Sequence, residues 1–214
     1  MVPKIYVTYN EVHKLCQESA DRILAEFKPH LMIAIGGGGY VPARILRSFL
    51  KKPASPNIPI QAIGLSLYES LPETMQPGTP GDVETAGTRV TRTQWLDLSS
   101  LGEMSNLVGK KVLIVDEVDD TRTTLEYAVK ELEKDVQIAS ERMGYQGEPT
   151  EFSIFVLHNK DKEKKGHLPD RIENGRYMAA RTVGDVWICY PWEATDIDQH
   201  DELANKQAAN GTTK

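Results

Sequence analysis

The chain is predicted to fold as an α/β domain, a mainly parallel sheet flanked by helices. Three observations point there. Apolar segments of strand length alternate with segments of helical period, as in strand–helix–strand units. The run KKVLIV, Lys110 to Val115, shows no apolar–polar alternation, which suits a parallel strand covered on both faces. Two apolar runs also end abruptly in chemistry-bearing segments, LMIAI in GGGG and VLIV in DEVDDTRTT. Open parallel sheets bind ligands beyond such strand ends.

The elements follow in order. Val12, Leu15, Cys16, Ser19 and Ile23 recur at helical spacing, and Leu31 to Ile35 then form a short strand that closes on glycine. Pro42 suits the first turn of the next helix, whose apolar face is Ile45, Leu46, Phe49 and Leu50, with Arg44 and Arg47 beside it; it stops before Pro53. A second strand runs from Ile60 to about Leu67. From Glu69 to Thr91 the chain turns to Pro, Gly, Thr and acid without sustained period, a loop of a length that is usually functional or disordered. Regular structure resumes near RTQWLDL. After the strand in KKVLIV, Leu125, Ala128, Val129, Leu132 and Val136 mark a helix. EFSIFVLH is a fourth strand, and YMAA and VWICY are shorter ones beyond the charged connection DKEKKGHLPDRIENG. The polar segment from about Asp198 is expected to fray. No internal repeat is present.

The 214 residues fit one domain, residues 1–197, followed by a polar tail, 198–214. Hydrophobic content of 40% with 26% charged residues is ordinary for a globular protein, and no apolar run is long enough to cross a bilayer. A formal charge of −6 argues against nucleic acid or membrane as general partners, since both are anionic. The amino-terminal residues have neither signal nor transit character, so a cytoplasmic protein is expected. Cys16 and Cys189 belong to no C-x-x-C pair and are expected as buried thiols.

Asp116, Glu117, Asp119 and Asp120 crowd one strand end, where like charges repel and raise one another's pKa. An N-cap for the next helix accounts for one of them. Adjacent Asp116 and Glu117 suit a vicinal diol or Mg²⁺, and the hydroxyl-rich turn Thr121 to Thr124 opens a helix, where free N–H groups favour phosphate. A ribose 5-phosphate satisfies both. GGGGYVPAR is neither a G-x-G-x-x-G nor a P-loop sequence, yet Gly36, Gly37, Gly38 and Gly39 allow backbone N–H groups to approach an anion.

VLIVDEVDDTRTT resembles the phosphoribosyl pyrophosphate motif of type I phosphoribosyltransferases. The resemblance implies that Asp116 and Glu117 hold the ribose hydroxyls and metal, that Asp120 assists proton transfer at the purine, and that Asp120, Thr121, Arg122, Thr123 and Thr124 surround the 5′-phosphate. Arg122 stands where most of the family has glycine, and Asp119 is taken as structural. Gly36 to Gly39 match the pyrophosphate loop. VWICYPWE resembles the W-x-x-x-P-W-[DE] segment of the xanthine–guanine branch, which implies that Trp187 stacks on the base, Ile188 reads its edge through backbone and Glu193 lies toward the metal. Lys160 is the candidate for the purine 6-oxo group, against a solvated loop lysine; His158 is more often structural than catalytic at such a place. Ser66 and Tyr68 resemble the Ser-Tyr pair of family lids, here a flexible lid over 69–91.

Over most of its length, including NIPIQAIGLSLYE and FVLHNKDK, the chain looks like the fungal hypoxanthine–guanine and xanthine phosphoribosyltransferases. The resemblance implies the type I phosphoribosyltransferase fold with a small hood, Mg²⁺ as cofactor and a homodimer. It also implies transfer of phosphoribosyl from phosphoribosyl pyrophosphate to N9 of hypoxanthine, guanine or xanthine, giving a nucleoside monophosphate and pyrophosphate. The alternative is a regulator that senses nucleotides on the same fold without turnover. A metal-dependent receiver or phosphatase ranks last, because the Lys or Ser/Thr partners that it needs on neighbouring strands are not found.

Overall fold

The computed structural model describes residues 3–51, 55–66, 90–96 and 107–209. Its main sheet is built from β2 (Leu31–Gly36), β3 (Ile60–Ser66), β4 (Thr91–Gln94), β5 (Lys111–Asp119), β6 (Glu151–Lys160) and β7 (Tyr177–Val183), in the spatial order β4-β3-β2-β5-β6-β7. All neighbours are parallel except the edge strand β4, which runs antiparallel to β3. The mainly parallel sheet expected from the sequence is therefore present, with an antiparallel edge on the segment RTQ.

The uninterrupted apolar character of β2 and β5 follows from burial of both faces. Leu31, Ile33 and Ile35 with Val112 and Ile114 pack under α3 (Thr123–Met143), against Leu125, Ala128, Val129 and Leu132. Met32 and Ala34 with Leu113 and Val115 face the other way, onto α1 (Tyr9–Glu26) and α2 (Tyr40–Leu50) through Val12, Cys16, Ile23, Ala43 and Leu46. Each strand residue thus serves one of two cores by the period-2 alternation of side chains. The first helix opens on a capping box: Thr8 accepts from the Glu11 N–H while Glu11 takes the Thr8 N–H.

A second, two-stranded parallel sheet pairs β1 (Lys4–Tyr6) with β8 (Trp187–Cys189). It is closed by α5 (Ile197–Ala209), and α4 is the single turn Asp170–Glu173. The expectation that residues beyond Asp198 fray is corrected here. His200 and Ala204 are buried, His200 Nε2 lies 2.9 Å from the Val7 carbonyl oxygen, and the Gln207 side-chain oxygen accepts from the Tyr6 N–H at 3.1 Å. A mostly polar sequence holds a helix because one narrow stripe of it meets β1. Of the expected lid, 69–89 and Tyr68 lie outside the described residues, and Ser66 ends β3 opposite Thr91. Among the described residues no helix is long and apolar enough to cross a membrane.

Candidate active site

The carboxyl ends of β2, β5 and β6 bring three segments together. From β2 the chain enters Gly36 to Gly39, with a cis peptide between Gly36 and Gly37, and then α2. Gly39 is demanded by close approach to backbone, whereas Gly38 abuts the tip of a side chain that can turn aside. A Cβ on Gly39 would fall on the carbonyl oxygens of Val115 and Ile35, and one on Gly38 would fall on the Glu117 carboxylate. Gly37 is exposed, with open space where its side chain would stand. The glycine loop therefore lies directly against the acidic end of β5.

Asp116 is buried, and its carboxyl accepts from the Glu117 N–H at 2.9 Å. Burial, followed by the neighbouring Glu117 charge, raises its pKa well above the usual carboxylate range. Glu117 Oε2 is buried without a hydrogen-bond partner. Among the described residues neither carboxylate has a lysine or arginine in an ion pair. The pair is thus uncompensated and faces glycine backbone, a setting that an added cation or a diol would relieve.

Asp119 is different in kind. Its side chain is fully buried, accepts from the Tyr177 hydroxyl at 2.8 Å, and is met by Arg122 Nε at 3.1 Å and Lys164 Nζ at 3.5 Å. The same Lys164 ammonium donates to the carbonyl oxygens of Asp119, Asp120 and Lys160 at 2.8 to 2.9 Å. Beside it, the Lys165 and Gly166 N–H groups both donate to the Thr121 carbonyl at 3.0 Å. A Cβ on Gly166 would meet the Arg122 and Thr123 backbone. The lysine-rich connection after β6 is therefore no solvated loop but the outer wall of the turn Asp119 to Thr123.

Arg122 adopts φ +69°, a left-handed conformation in which glycine carries no side-chain penalty. Its guanidinium turns inward, pairs with Asp119 and Glu173 and stands 5.0 Å from the Tyr177 ring centre. The arginine charge is spent on that knot, so what Arg122 offers an anion is its backbone. The Thr121 and Thr123 hydroxyls lie 3.0 Å apart, and Thr123 and Thr124 open α3, where first-turn N–H groups have no partner within the helix.

Asp120 projects to the other side. Its carboxylate lies 3.1 Å from Lys162 Nζ and 3.3 Å from Lys160 Nζ, and Lys162 also reaches Asp185 at 2.9 Å. Burial alone would raise the Asp120 pKa, but the bond to Lys162 and the Lys160 and Lys162 charges more than reverse this, leaving it below the ordinary value. Lys160, buried at the end of β6, thus stands beside Asp120 rather than in solvent.

Trp187, on β8, leaves 46% of its surface exposed, and Ile188 next to it packs inward. Trp192 instead stacks on Tyr190, with ring centres 4.7 Å apart and planes 7° from parallel. Glu193 lies exposed in the turn Pro191–Glu193, and no group of three or more acidic, His or Cys side chains is gathered for a metal among the described residues. The structure therefore does not join Glu193 to Asp116 and Glu117 in one ligand set.

His158 is buried, and burial, with the nearby Arg181 charge, lowers its pKa from 6.5 to about 4. Between those values the unfolded chain holds a proton that the folded chain refuses, so this stability is complete above pH 6.5 and is lost as pH falls toward 4. The gap is worth on the order of 3 kcal/mol. His158→Asn, which keeps a donor near the Nδ1 position and cannot titrate, is expected to flatten the melting-temperature profile across that interval. An unchanged slope would exclude His158 as its source.

The sequence singles out the acidic strand end, the glycine loop and Lys160, and all three lie at the carboxyl ends of neighbouring parallel strands. Lys162, Lys164 and Tyr190 were not singled out, because a lysine run reads as solvated and a tyrosine beside tryptophans reads as packing.

No family model matches the chain. It is 56% identical over 207 residues to xanthine phosphoribosyltransferase 1 of Saccharomyces cerevisiae, covering 95% of this chain and 96% of that protein. It is 54% identical over 203 residues to the hypoxanthine-guanine phosphoribosyltransferase of Schizosaccharomyces pombe, 95% of each. Among solved structures, a hypothetical protein from Neisseria gonorrhoeae with bound ppGpp superposes with a TM-score of 0.71 at 38% identity, over 96% of this chain and 98% of that one.

Proposed function

The chain belongs to the purine phosphoribosyltransferase family, and from that premise we propose that it transfers phosphoribosyl from phosphoribosyl pyrophosphate to N9 of a 6-oxopurine, releasing pyrophosphate. The observation that carries this reading is the uncompensated pair Asp116 and Glu117, seated against glycine backbone and followed by a hydroxyl turn at a helix start. It offers a diol acceptor and a phosphate cradle within one short segment. The ppGpp bound by the Neisseria relative, a guanine nucleotide rich in phosphate, is the kind of ligand that such a site accommodates.

In this reading Asp116 and Glu117 accept hydrogen bonds from the ribose hydroxyls, while Thr121, Arg122 backbone, Thr123 and Thr124 hold the 5′-phosphate. Gly36 to Gly39 lie along the pyrophosphate. Trp187 stacks on the purine, Ile188 backbone meets its edge, and Lys160 donates to the 6-oxo group. Asp120, kept ionised by Lys160 and Lys162, accepts the imidazole proton as N9 attacks C1. Bond breaking runs ahead of bond making, so positive charge grows on the sugar and the fixed carboxylates favour it.

The residues fit Mg²⁺: Glu117 Oε2 lacks a partner, and Mg²⁺ characteristically takes one or two carboxylates and completes its shell with water and substrate phosphate. When bound, it supplies charge to the leaving pyrophosphate. Glu193 lies toward that side only through the resemblance. We place the protein in the cytoplasm as a homodimer whose partners are phosphoribosyl pyrophosphate, the base and its monophosphate.

Pyrophosphate release measured with hypoxanthine, guanine and xanthine in turn tests the proposal. Release that depends on one of these bases and on Mg²⁺ is expected. Binding of the monophosphate without base-dependent release would assign the chain to the sensing alternative.

A further inference from the structure

Tyr190 occupies a place that none of the roles above uses. It follows β8 directly, is buried, and lies face to face with Trp192. Its hydroxyl donates to the Glu117 carbonyl at 2.9 Å and stands 2.9 Å from His158 Nδ1. A phenol has one proton, and here it points at the carbonyl; Nδ1 must therefore carry its own proton and donate to the oxygen. The result is a directed chain: His158 Nδ1–H to Tyr190 Oη–H to the Glu117 carbonyl.

Glu117 is where this chain matters. The regular pairing of β5 with β6 joins Asp116 to Val156 and Val118 to His158. The Glu117 N–H is taken by the Asp116 carboxylate and its carbonyl by Tyr190, so both flanking peptide units are pinned by side chains. A peptide held at both ends fixes where the Glu117 side chain leaves the backbone. We propose that Tyr190, oriented by His158, is a positioning residue that sets the Glu117 carboxylate for the sugar and pyrophosphate side of the donor. The proposal rests on the assignment of Glu117 to the donor made above.

Steady-state kinetics with the full chain separate this role from simple packing. Tyr190→Phe keeps the stack on Trp192 and removes only the hydroxyl. It is expected to raise KM for phosphoribosyl pyrophosphate about tenfold, the low end of the loss that follows removal of hydrogen-bond partners behind metal-holding residues. The purine KM should stay within about twofold. His158→Leu, which removes the donor, should reproduce the rise, and His158→Asn should restore most of the donor affinity. Equal increases in both KM values would show a displaced hood and overturn the proposal, as would an unchanged donor KM. If Tyr190→Phe does not fold, the two His158 variants decide: identical donor KM values for Leu and Asn overturn it. Glu117→Gln tests the underlying assignment separately. An unchanged donor KM there removes Glu117 from the donor site, whereas a raised one beside a normal Tyr190→Phe defeats the positioning role alone.

Discussion

Replacing Asp119 by alanine is expected to cost about 3–5 kcal/mol of folding stability, the usual result of removing one member of a buried charge network. The side chain is fully buried and receives Tyr177, Arg122 and Lys164 together. Without it, the Arg122 guanidinium and the Lys164 ammonium lose the anion that offsets their desolvation, and the Tyr177 hydroxyl is left without its acceptor. For a chain of this size each kcal/mol shifts the melting temperature by roughly 2–4 °C, so a drop of about 10 °C is expected. Asp119→Asn should recover little, since the shape is kept but the charge is not. A melting temperature within about 2 °C of the parent would mean that Lys164, with its three carbonyl partners, holds the turn unaided.

The neighbouring residue is expected to behave in the opposite way. Asp120→Asn should lower kcat by about 10²–10⁴, the range for loss of a positioned proton acceptor, while the melting temperature barely moves. Its carboxylate is nearly half exposed, and ion pairs at that exposure contribute little to stability. In the proposed reaction that charge is the proton acceptor, and Lys160 and Lys162 keep it ionised. Both kcat and kcat/KM should fall together, as for an interaction made in the transition state. If kcat stays within an order of magnitude of the parent, Asp120 is not the proton acceptor and serves only to steady the two lysines. On this expectation two adjacent aspartates divide into a structural anion and a chemical one, according to which way each points at the end of β5.

The sequence made the sheet legible where the physics is local and repetitive. Ile33 and Met32, or Ile114 and Leu113, are all apolar because each face of the strand has its own helix cover, and that pattern can be counted. Leu125, Ala128, Val129 and Leu132 announced α3 in the same manner. The acidic end was legible because four carboxylates at one strand terminus have no cheap explanation. What escaped was set by partners distant in sequence. Three-residue strands such as Lys4–Tyr6 have no period to detect, and the stripe His200 and Ala204 is too thin to reveal a docked helix. The direction of Arg122 depends on Asp119, Glu173 and Tyr177, and the docking of Lys164 depends on carbonyls some forty-five residues earlier. Neither side chain carries any mark of these contacts in its own neighbourhood.

The small sheet joins the two ends of the described chain, since β1 cannot pair until β8 exists and α5 cannot seat until β1 is in place. During synthesis all six strands of the main sheet are present once Val183 has left the ribosome, before β8 and α5 can complete the small sheet. A nascent chain stalled at that length would already hold the glycine loop and the acidic end of β5, but neither Trp187 nor the sheet that carries it.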